Sequence, residues 1–160
     1  MKNKSLIILS IFILLPFFGL TQEITKKDGK YVDENNELFT GTYKEYYENG
    51  TIKSEISVED GVLNGKSYFY YKDGTKKEVR AYKDGKMHGV WLSWNKDHVK
   101  TAKAQYVKGK KDGVWKIWDK TGTLRFKMKY HKGKKVGTWY NYDENGELIA
   151  TRKYNKDKEE

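Results

Sequence analysis

Apolar and polar side chains alternate strictly in the clearest stretch of the chain. The segment 124–130 reads Leu-Arg-Phe-Lys-Met-Lys-Tyr, so every second residue is apolar and the residues between are basic. Such alternation predicts a β-strand with one apolar face. The segment 113–119 just before it, Gly-Val-Trp-Lys-Ile-Trp-Asp, is rich in aromatic residues and predicts the partner strand of a hairpin.

This hairpin is one copy of a repeat, because glycines recur every 24 residues. The leading series is Gly41, Gly65, Gly89, Gly113 and Gly137. Aromatic residues keep the same register. Place five, five residues after the leading glycine, holds Tyr46, Tyr70, Trp94, Trp118 and Tyr142; place two holds Tyr43, Ser67, Trp91, Trp115 and Trp139; place seventeen holds Val58, Tyr82, Tyr106, Tyr130 and Tyr154. We therefore predict an all-β fold, an elongated antiparallel meander of β-hairpin repeats with about ten strands in a single layer.

The repeat also divides the chain. Residues 1–21 form a predicted signal peptide, 22–40 a lead-in with a partial hairpin, and 155–160 a charged C-terminal tail. The five repeats between them span 41–64, 65–88, 89–112, 113–136 and 137–154.

Two kinds of turn are predicted within this array. Asn49-Gly50 and Asp73-Gly74 connect the strands of a unit, and such pairs supply the positive φ angles of a type I′ turn. His98 stands at the glycine position in the third unit, where histidine is tolerated. Units are joined by Gly-x-x-x-Gly segments with polar spacers, which favour turns over a membrane helix motif.

Places two and five lie an odd number of residues apart on the same strand. Their side chains are therefore predicted to lie on opposite faces of the sheet. Place five is aromatic in every unit, and Trp94 and Trp118 are therefore expected to wedge between hairpins and be largely buried. The tryptophans at place two, Trp91, Trp115 and Trp139, are then expected to face solvent. There they would form a ladder suited to sugars or to an apolar strip of a partner protein.

The first residues predict export. Two lysines precede an apolar run over 6–20, and Gly19 and Thr21 stand where a cleavage site ahead of Gln22 requires small residues. The run is shorter than the roughly 20 residues of a membrane-spanning helix, and an uncleaved anchor is the alternative. The predicted location is periplasmic, envelope-associated or secreted. The chain has no cysteine, which excludes disulfides and thiolate metal sites.

The charge balance predicts a basic surface. The net charge is +10, and removal of the signal with its two lysines leaves 30 basic against 22 acidic residues, or +8. Six lysines of the inter-unit turns are candidates for binding an anionic surface: Lys108, Lys110, Lys111, Lys132, Lys134 and Lys135. The alternative is that they serve solubility and protect strand edges.

No constellation of residues predicts catalysis. His88, His98 and His131 fall at three different places of the repeat, so they form no metal-binding set, and no Gly-x-Ser-x-Gly elbow occurs. We predict no enzyme activity, no catalytic or metal site and no cofactor.

The repeat resembles a known family. The pattern Gly-x-Trp-x-x-Trp/Tyr-x-x-x-Gly, an alternating strand ending in Tyr, and then Gly-Lys-x-x-Gly resembles the MORN-repeat variant of bacterial YwqK-type toxin–antitoxin antitoxin proteins, over about 31–154. The resemblance implies a β-hairpin array without catalytic residues. Choline- and glucan-binding repeats are a weaker resemblance, since only Tyr46-Tyr47 and Tyr70-Tyr71 match their paired rings.

These observations predict a non-catalytic, exported scaffold that binds another protein at the cell envelope. The alternative is a binder of glycan or of an anionic lipid surface. Nucleic acid is not expected as a partner, because the chain is predicted to be exported.

Overall fold

The computed structural model describes residues 23–155, and these contain sixteen β-strands and no helix. The strands are β1 Thr25–Lys27, β2 Lys30–Val32, β3 Gly41–Tyr46, β4 Ile52–Glu59, β5 Val62–Leu63, β6 Gly65–Tyr70, β7 Lys76–Lys83, β8 Lys86–Met87, β9 Gly89–Trp94, β10 Lys100–Val107, β11 Lys110–Lys111, β12 Gly113–Trp118, β13 Leu124–His131, β14 Lys134–Lys135, β15 Gly137–Tyr142 and β16 Leu148–Tyr154. No helix in this part of the chain could span a membrane. The predicted signal peptide and residues 156–160 lie outside the described residues.

Ten long strands form one antiparallel meander, in the order β16-β15-β13-β12-β10-β9-β7-β6-β4-β3. The predicted all-β meander is confirmed, and in each repeat the first strand begins at the leading glycine. Four two-residue strands, β5, β8, β11 and β14, each pair antiparallel with the end of the second strand in units one to four. The strands β1 and β2 form a separate hairpin in the lead-in.

The turns within a unit differ in type from the prediction. Within a unit only the glycine has positive φ, as at Gly50, and Gly50 N–H donates to the Tyr47 carbonyl at 2.9 Å. This is a type I turn followed by a left-handed residue. His98 takes that conformation, with φ of 59°, as predicted. The type I′ pairs occur between units, because Asp60-Gly61 and Lys108-Gly109 both have positive φ at two successive residues.

A β-bulge interrupts every hairpin near place five. In unit four, Ile117 pairs with Phe126 but Trp118 pairs with Leu124, so Arg125 is an extra residue. Paired residues share a face of a sheet, and Leu124 therefore lies on the opposite face from Phe126. The strict alternation in the sequence predicted one face for both, and the bulge is the reason that this is wrong.

The inter-unit turns lie next to one another along one side of the sheet, at the ends of its strands. The amide of Gly109 donates to the Met87 carbonyl at 2.8 Å, and that of Gly133 to the Lys111 carbonyl at 2.8 Å. The first inter-unit turn makes the equivalent hydrogen bond to the lead-in, since the Gly61 amide donates to the Phe39 carbonyl at 2.9 Å. These bonds hold successive repeats in one register.

Candidate binding surfaces

A continuous ladder of rings runs along one face of the sheet, from the end of the second repeat through the last three repeats. Its members are Tyr82, Trp91, Tyr106, Trp115, Tyr130, Trp139 and Tyr154. Neighbouring centroids lie 4.7 to 5.3 Å apart with planes tilted by 52 to 66°. Tilted and edge-to-face contacts at this distance are favourable for aromatic rings. We call this set the aromatic ladder, and its side of the sheet the ladder face.

Each ladder tryptophan is also held by a hydrogen bond to the preceding unit. The indole N–H of Trp91 donates to the Ala81 carbonyl at 2.8 Å, that of Trp115 to the Gln105 carbonyl at 3.0 Å, and that of Trp139 to the Lys129 carbonyl at 3.0 Å. Burial raises the pKa of the Tyr106 and Tyr130 hydroxyls. The ladder therefore connects successive repeats, and the indole N–H groups of its three tryptophans are hydrogen-bonded.

The predicted roles of the two aromatic places are therefore corrected. The expectation that the place-two tryptophans face solvent while Trp94 and Trp118 wedge between hairpins is wrong. Trp91 and Trp115 each lie between two tyrosines, and Trp94 and Trp118 are half-buried on the opposite face. Alternation along a strand puts the aromatic residues of places two and five on opposite faces. It does not determine which of them contacts the tyrosines of place seventeen. The bulge and the inter-unit register decide that.

The face opposite the ladder carries exposed apolar side chains. In β9 and β12, Val90 and Val114 are 40% and 36% exposed and share this face with Trp94 and Trp118 by alternation. Tyr46, in the first unit, is 57% exposed. Lysines border the rings, since the Lys127 ammonium lies 5.4 Å from the Tyr140 centroid and that of Lys100 lies 6.0 Å from Trp118. We call this side of the sheet the open face.

The six candidate lysines divide into two groups. All are exposed and belong to the third and fourth inter-unit turns. The Lys111 ammonium, however, lies 4.7 Å from the Trp115 centroid and 5.0 Å from that of Tyr130. Lys135 repeats this over Trp139 and Tyr154 at 5.5 and 5.4 Å. The sequence reasoning missed this role, although Leu63 and Met87 at the same place in earlier units signal a position that contacts the core.

The edge formed by these turns has a charge gradient along the array. The segment 59–65 carries two acids, 83–89 two lysines and one aspartate, 107–113 three lysines and one aspartate, and 131–137 three lysines. With neutral histidine, the formal charge is −2, +1, +2 and +3 in that order. Positive potential is therefore concentrated at the C-terminal end of this edge.

Side chains of one turn also bind the next. Asp112 accepts from the Lys132 amide at 3.0 Å and lies 3.4 Å from Nδ1 of His131. His88 Nδ1 lies 3.5 Å from the Lys108 amide. Two of the three histidines thus occupy inter-unit turns, and His98 occupies a turn within a unit. Among residues 23–155 no three histidine or carboxylate side chains are placed to hold a metal ion.

The first two units have a different interior. Place two of unit two holds Ser67 and place seventeen of unit one holds Val58, which are 1% and 4% exposed, so the ladder begins only at Tyr82, at the end of unit two. Tyr43 instead contacts Tyr31 of the lead-in, with centroids 6.0 Å apart. The Arg80 guanidinium lies 4.5 Å from Phe69 and 5.4 Å from Trp91, where the ladder begins.

A polar network on the open face links these first units. The Tyr70 hydroxyl donates to Glu55 at 2.8 Å, and Lys44 pairs with the same carboxylate at 3.0 Å. Burial and this hydrogen bond raise the pKa of Tyr70 to about 12. The bond from Tyr70, followed by that from Lys44, lowers the pKa of Glu55. The network is partly buried and connects β3, β4 and β6, which suits a structural role.

The geometry agrees with a comparison with known families. The family profile described as MORN repeat variant matches residues 39–60, 111–132 and 135–156. These three segments are repeats of the MORN variant type. Repeats of this kind suggest a scaffold, and they often bind proteins or membranes without catalysis. No curated protein matches the chain significantly.

Proposed function

We propose that this protein is an exported, non-catalytic scaffold that binds another protein at the cell envelope, as an antitoxin-like MORN variant would. The observation that carries the proposal is the open face, which presents Val90 and Val114 to solvent beside half-buried Trp94 and Trp118 and also exposes Tyr46 on the distant strand β3. Aromatic and aliphatic side chains in a polar surround are typical of protein interfaces. Export is supported by the sequence of the first 21 residues alone.

Capture of a partner from envelope extract by the tagged protein tests this proposal. The expected complex survives a high-salt wash, because it depends on apolar contact, and is lost in the double variant Trp94→Ala/Trp118→Ala. A matched control is the double variant Lys110→Gln/Lys132→Gln, which changes exposed turn residues and should leave capture intact. Salt-sensitive capture that is lost only in the lysine variant would contradict the protein-scaffold proposal.

The charge gradient favours a second candidate function, which is binding of an anionic lipid or acidic glycan surface. The test is co-sedimentation with vesicles of phosphatidylcholine and phosphatidylglycerol, with pure phosphatidylcholine as the control. Lys108, Lys110 and Lys132 are the lysines to neutralise, since Lys111 and Lys135 cover ladder rings. Binding should weaken with salt, because exposed charges are screened over about 8 Å at 0.15 M. Absence of sedimentation at low salt would reject binding to an anionic lipid surface.

A further inference from the structure

One line of directly paired residues crosses all the long strands on the open face. At its N-terminal end Lys44 faces Glu55, and the two form an ion pair at 3.0 Å. On β10, β12 and β13 three lysines instead stand directly opposite one another, because Lys116 pairs with Lys103 on one side and with Lys127 on the other. We call these three residues the lysine row.

The fold alone does not explain the lysine row. Like charges directly opposite each other destabilise a sheet. The repeat does not require lysine at these positions, since the same line continues through Val79 and Leu92 on one side of the row and through Tyr140 on the other. Natural proteins break such local rules mainly at functional sites. The lysine row is therefore a candidate binding site.

The nearby strands offer the lysine row no counter-charge. The six long strands from β9 to β16 contain no acidic residue. The acids at the two ends of β12 are engaged elsewhere, since Asp112 accepts from the Lys132 amide at 3.0 Å, and Asp119 accepts from amides of its own turn and lies 3.6 Å from Arg125. Among residues 23–155 none of the three lysines forms an ion pair. An anionic partner would remove the repulsion within the row.

The surroundings of the lysine row indicate which anion fits. Neighbouring strands lie about 4.8 Å apart, so the row is about 10 Å long. Two residues away on the same face of β9 and β12 lie four apolar side chains: Val90, Trp94, Val114 and Trp118. A polysaccharide or a nucleic acid would supply the charge but would place polar groups against these side chains. A protein segment supplies carboxylates and apolar side chains together.

We propose that the lysine row binds an acidic segment of a partner protein, whose carboxylates pair with the three lysines while its apolar side chains contact Trp94 and Trp118. The proposal rests on the proposed protein-binding function, and it names the part of the open face that recognises the partner and the chemistry of the partner. Charge complementarity contributes mainly to specificity and to the rate of association. The complex is therefore weakened by salt but keeps its apolar contacts.

The probe is a labelled peptide, Glu-Leu-Glu-Glu-Trp-Glu-Glu-Leu-Glu, whose binding to the purified protein is measured by fluorescence anisotropy at low salt. We expect saturable binding that weakens about tenfold when glutamine replaces every glutamate and also weakens when serine replaces leucine and tryptophan. Absence of saturable binding, or full affinity of the glutamine peptide, overturns the proposal. Full affinity of the serine peptide, with displacement by polygalacturonate, would identify an acidic glycan as the occupant and would also overturn it.

Two triple variants of the protein locate the site. The variant of the lysine row should bind the peptide about tenfold more weakly. The control removes the same charge from the inter-unit turns and should change the affinity less than about twofold, because distant exposed charges are screened. Equal loss in both would indicate a general charge effect and overturn the proposal. The row variant is Lys103→Gln/Lys116→Gln/Lys127→Gln, and the control is Lys108→Gln/Lys110→Gln/Lys132→Gln.

A single charge reversal separates binding from folding. In Lys116→Glu the new carboxylate would face Lys103 and Lys127 on the two neighbouring strands, so the urea midpoint should rise. Binding of the acidic peptide should nevertheless weaken about tenfold or more. A folding defect cannot produce a variant that is both more stable and weaker in binding. A midpoint that does not rise, or an unchanged affinity, contradicts the proposal.

The C-terminal residues of the chain itself provide a further control. Residues 156–160 include three acids. Their removal should leave the affinity for the peptide unchanged. Tighter binding by the shortened chain would identify this segment as the occupant of the lysine row and overturn the proposed partner.

Capture from envelope extract separates this proposal from the proposed function. Capture that fails in Trp94→Ala/Trp118→Ala but is unaffected in the variant of the lysine row would reject the row while supporting the open face. Capture that fails in both supports both proposals. Capture that survives in both rejects both.

Discussion

The first two repeats and the last three have the same hairpin backbone but different interiors. In the first two, Ser54, Ser67 and Val58 are almost fully buried, and the lead-in covers the end of the sheet. In the last three, half-buried rings stack in a ladder that continues to the final strand. A single sheet has no second layer to cover its core. In the N-terminal units, small side chains and the lead-in keep the core away from solvent. In the C-terminal units, neighbouring rings shield one another.

The largest loss of stability is expected when a ring of the aromatic ladder is removed. Trp115→Ala should lower the free energy of unfolding by about 3 kcal/mol, the low end for a truncated large aromatic because the ring is partly exposed. The ring contacts Tyr106 and Tyr130, and its indole is hydrogen-bonded. Trp118→Ala, three residues away on the open face, is the matched control and should cost only about 1 kcal/mol. Urea denaturation followed by circular dichroism measures both, and an equal or larger loss for Trp118→Ala would contradict the ladder as the main joint.

An intermediate effect is expected where the lead-in meets the first inter-unit turn. Gly61 and Gly133 occupy the same place of the repeat with φ of 74° and 91°, so alanine should cost each about 1 kcal/mol through strain. A Cβ at Gly61 would also lie 2.9 Å from Leu38 and 3.0 Å from the Tyr31 carbonyl. At Gly133 its nearest neighbour is 3.9 Å away. Gly61→Ala should therefore lose about 1 to 3 kcal/mol more, and equal losses in urea denaturation would show that the lead-in is not a firm cover.

The smallest effect concerns alkaline pH. The pKa of Tyr70 is raised from its ordinary value of 10.0 to about 12 in the folded protein, so the neutral hydroxyl is favoured there. Its stabilising contribution is complete below pH 10 and is lost as the pH rises from 10 towards 12. Denaturation midpoints measured across this range should fall less steeply in Tyr70→Phe. Tyr46→Phe, at an exposed hydroxyl, serves as the control, and an identical pH profile of Tyr70→Phe and the unaltered protein would contradict the prediction.

Much of the candidate site could be placed from the sequence, but not the orientation of its parts. The inter-unit turns hold the six predicted lysines, since the 24-residue period locates every turn. The contact of Lys111 and Lys135 with ladder rings could not be read from that period, because it depends on how a long side chain folds back onto the sheet.

The sequence by itself determined the repeat, the strand order and the first residue of each unit, because glycine, turn and aromatic positions recur with a period that only a hairpin array satisfies. The tertiary structure decided which aromatic series forms the core. Alternation places Trp115 and Trp118 on opposite sides, but two sides of one sheet are equivalent until neighbouring units pair. The register between β10 and β12 and the bulge at Arg125 set Trp115 between Tyr106 and Tyr130 and left Trp118 on the open face.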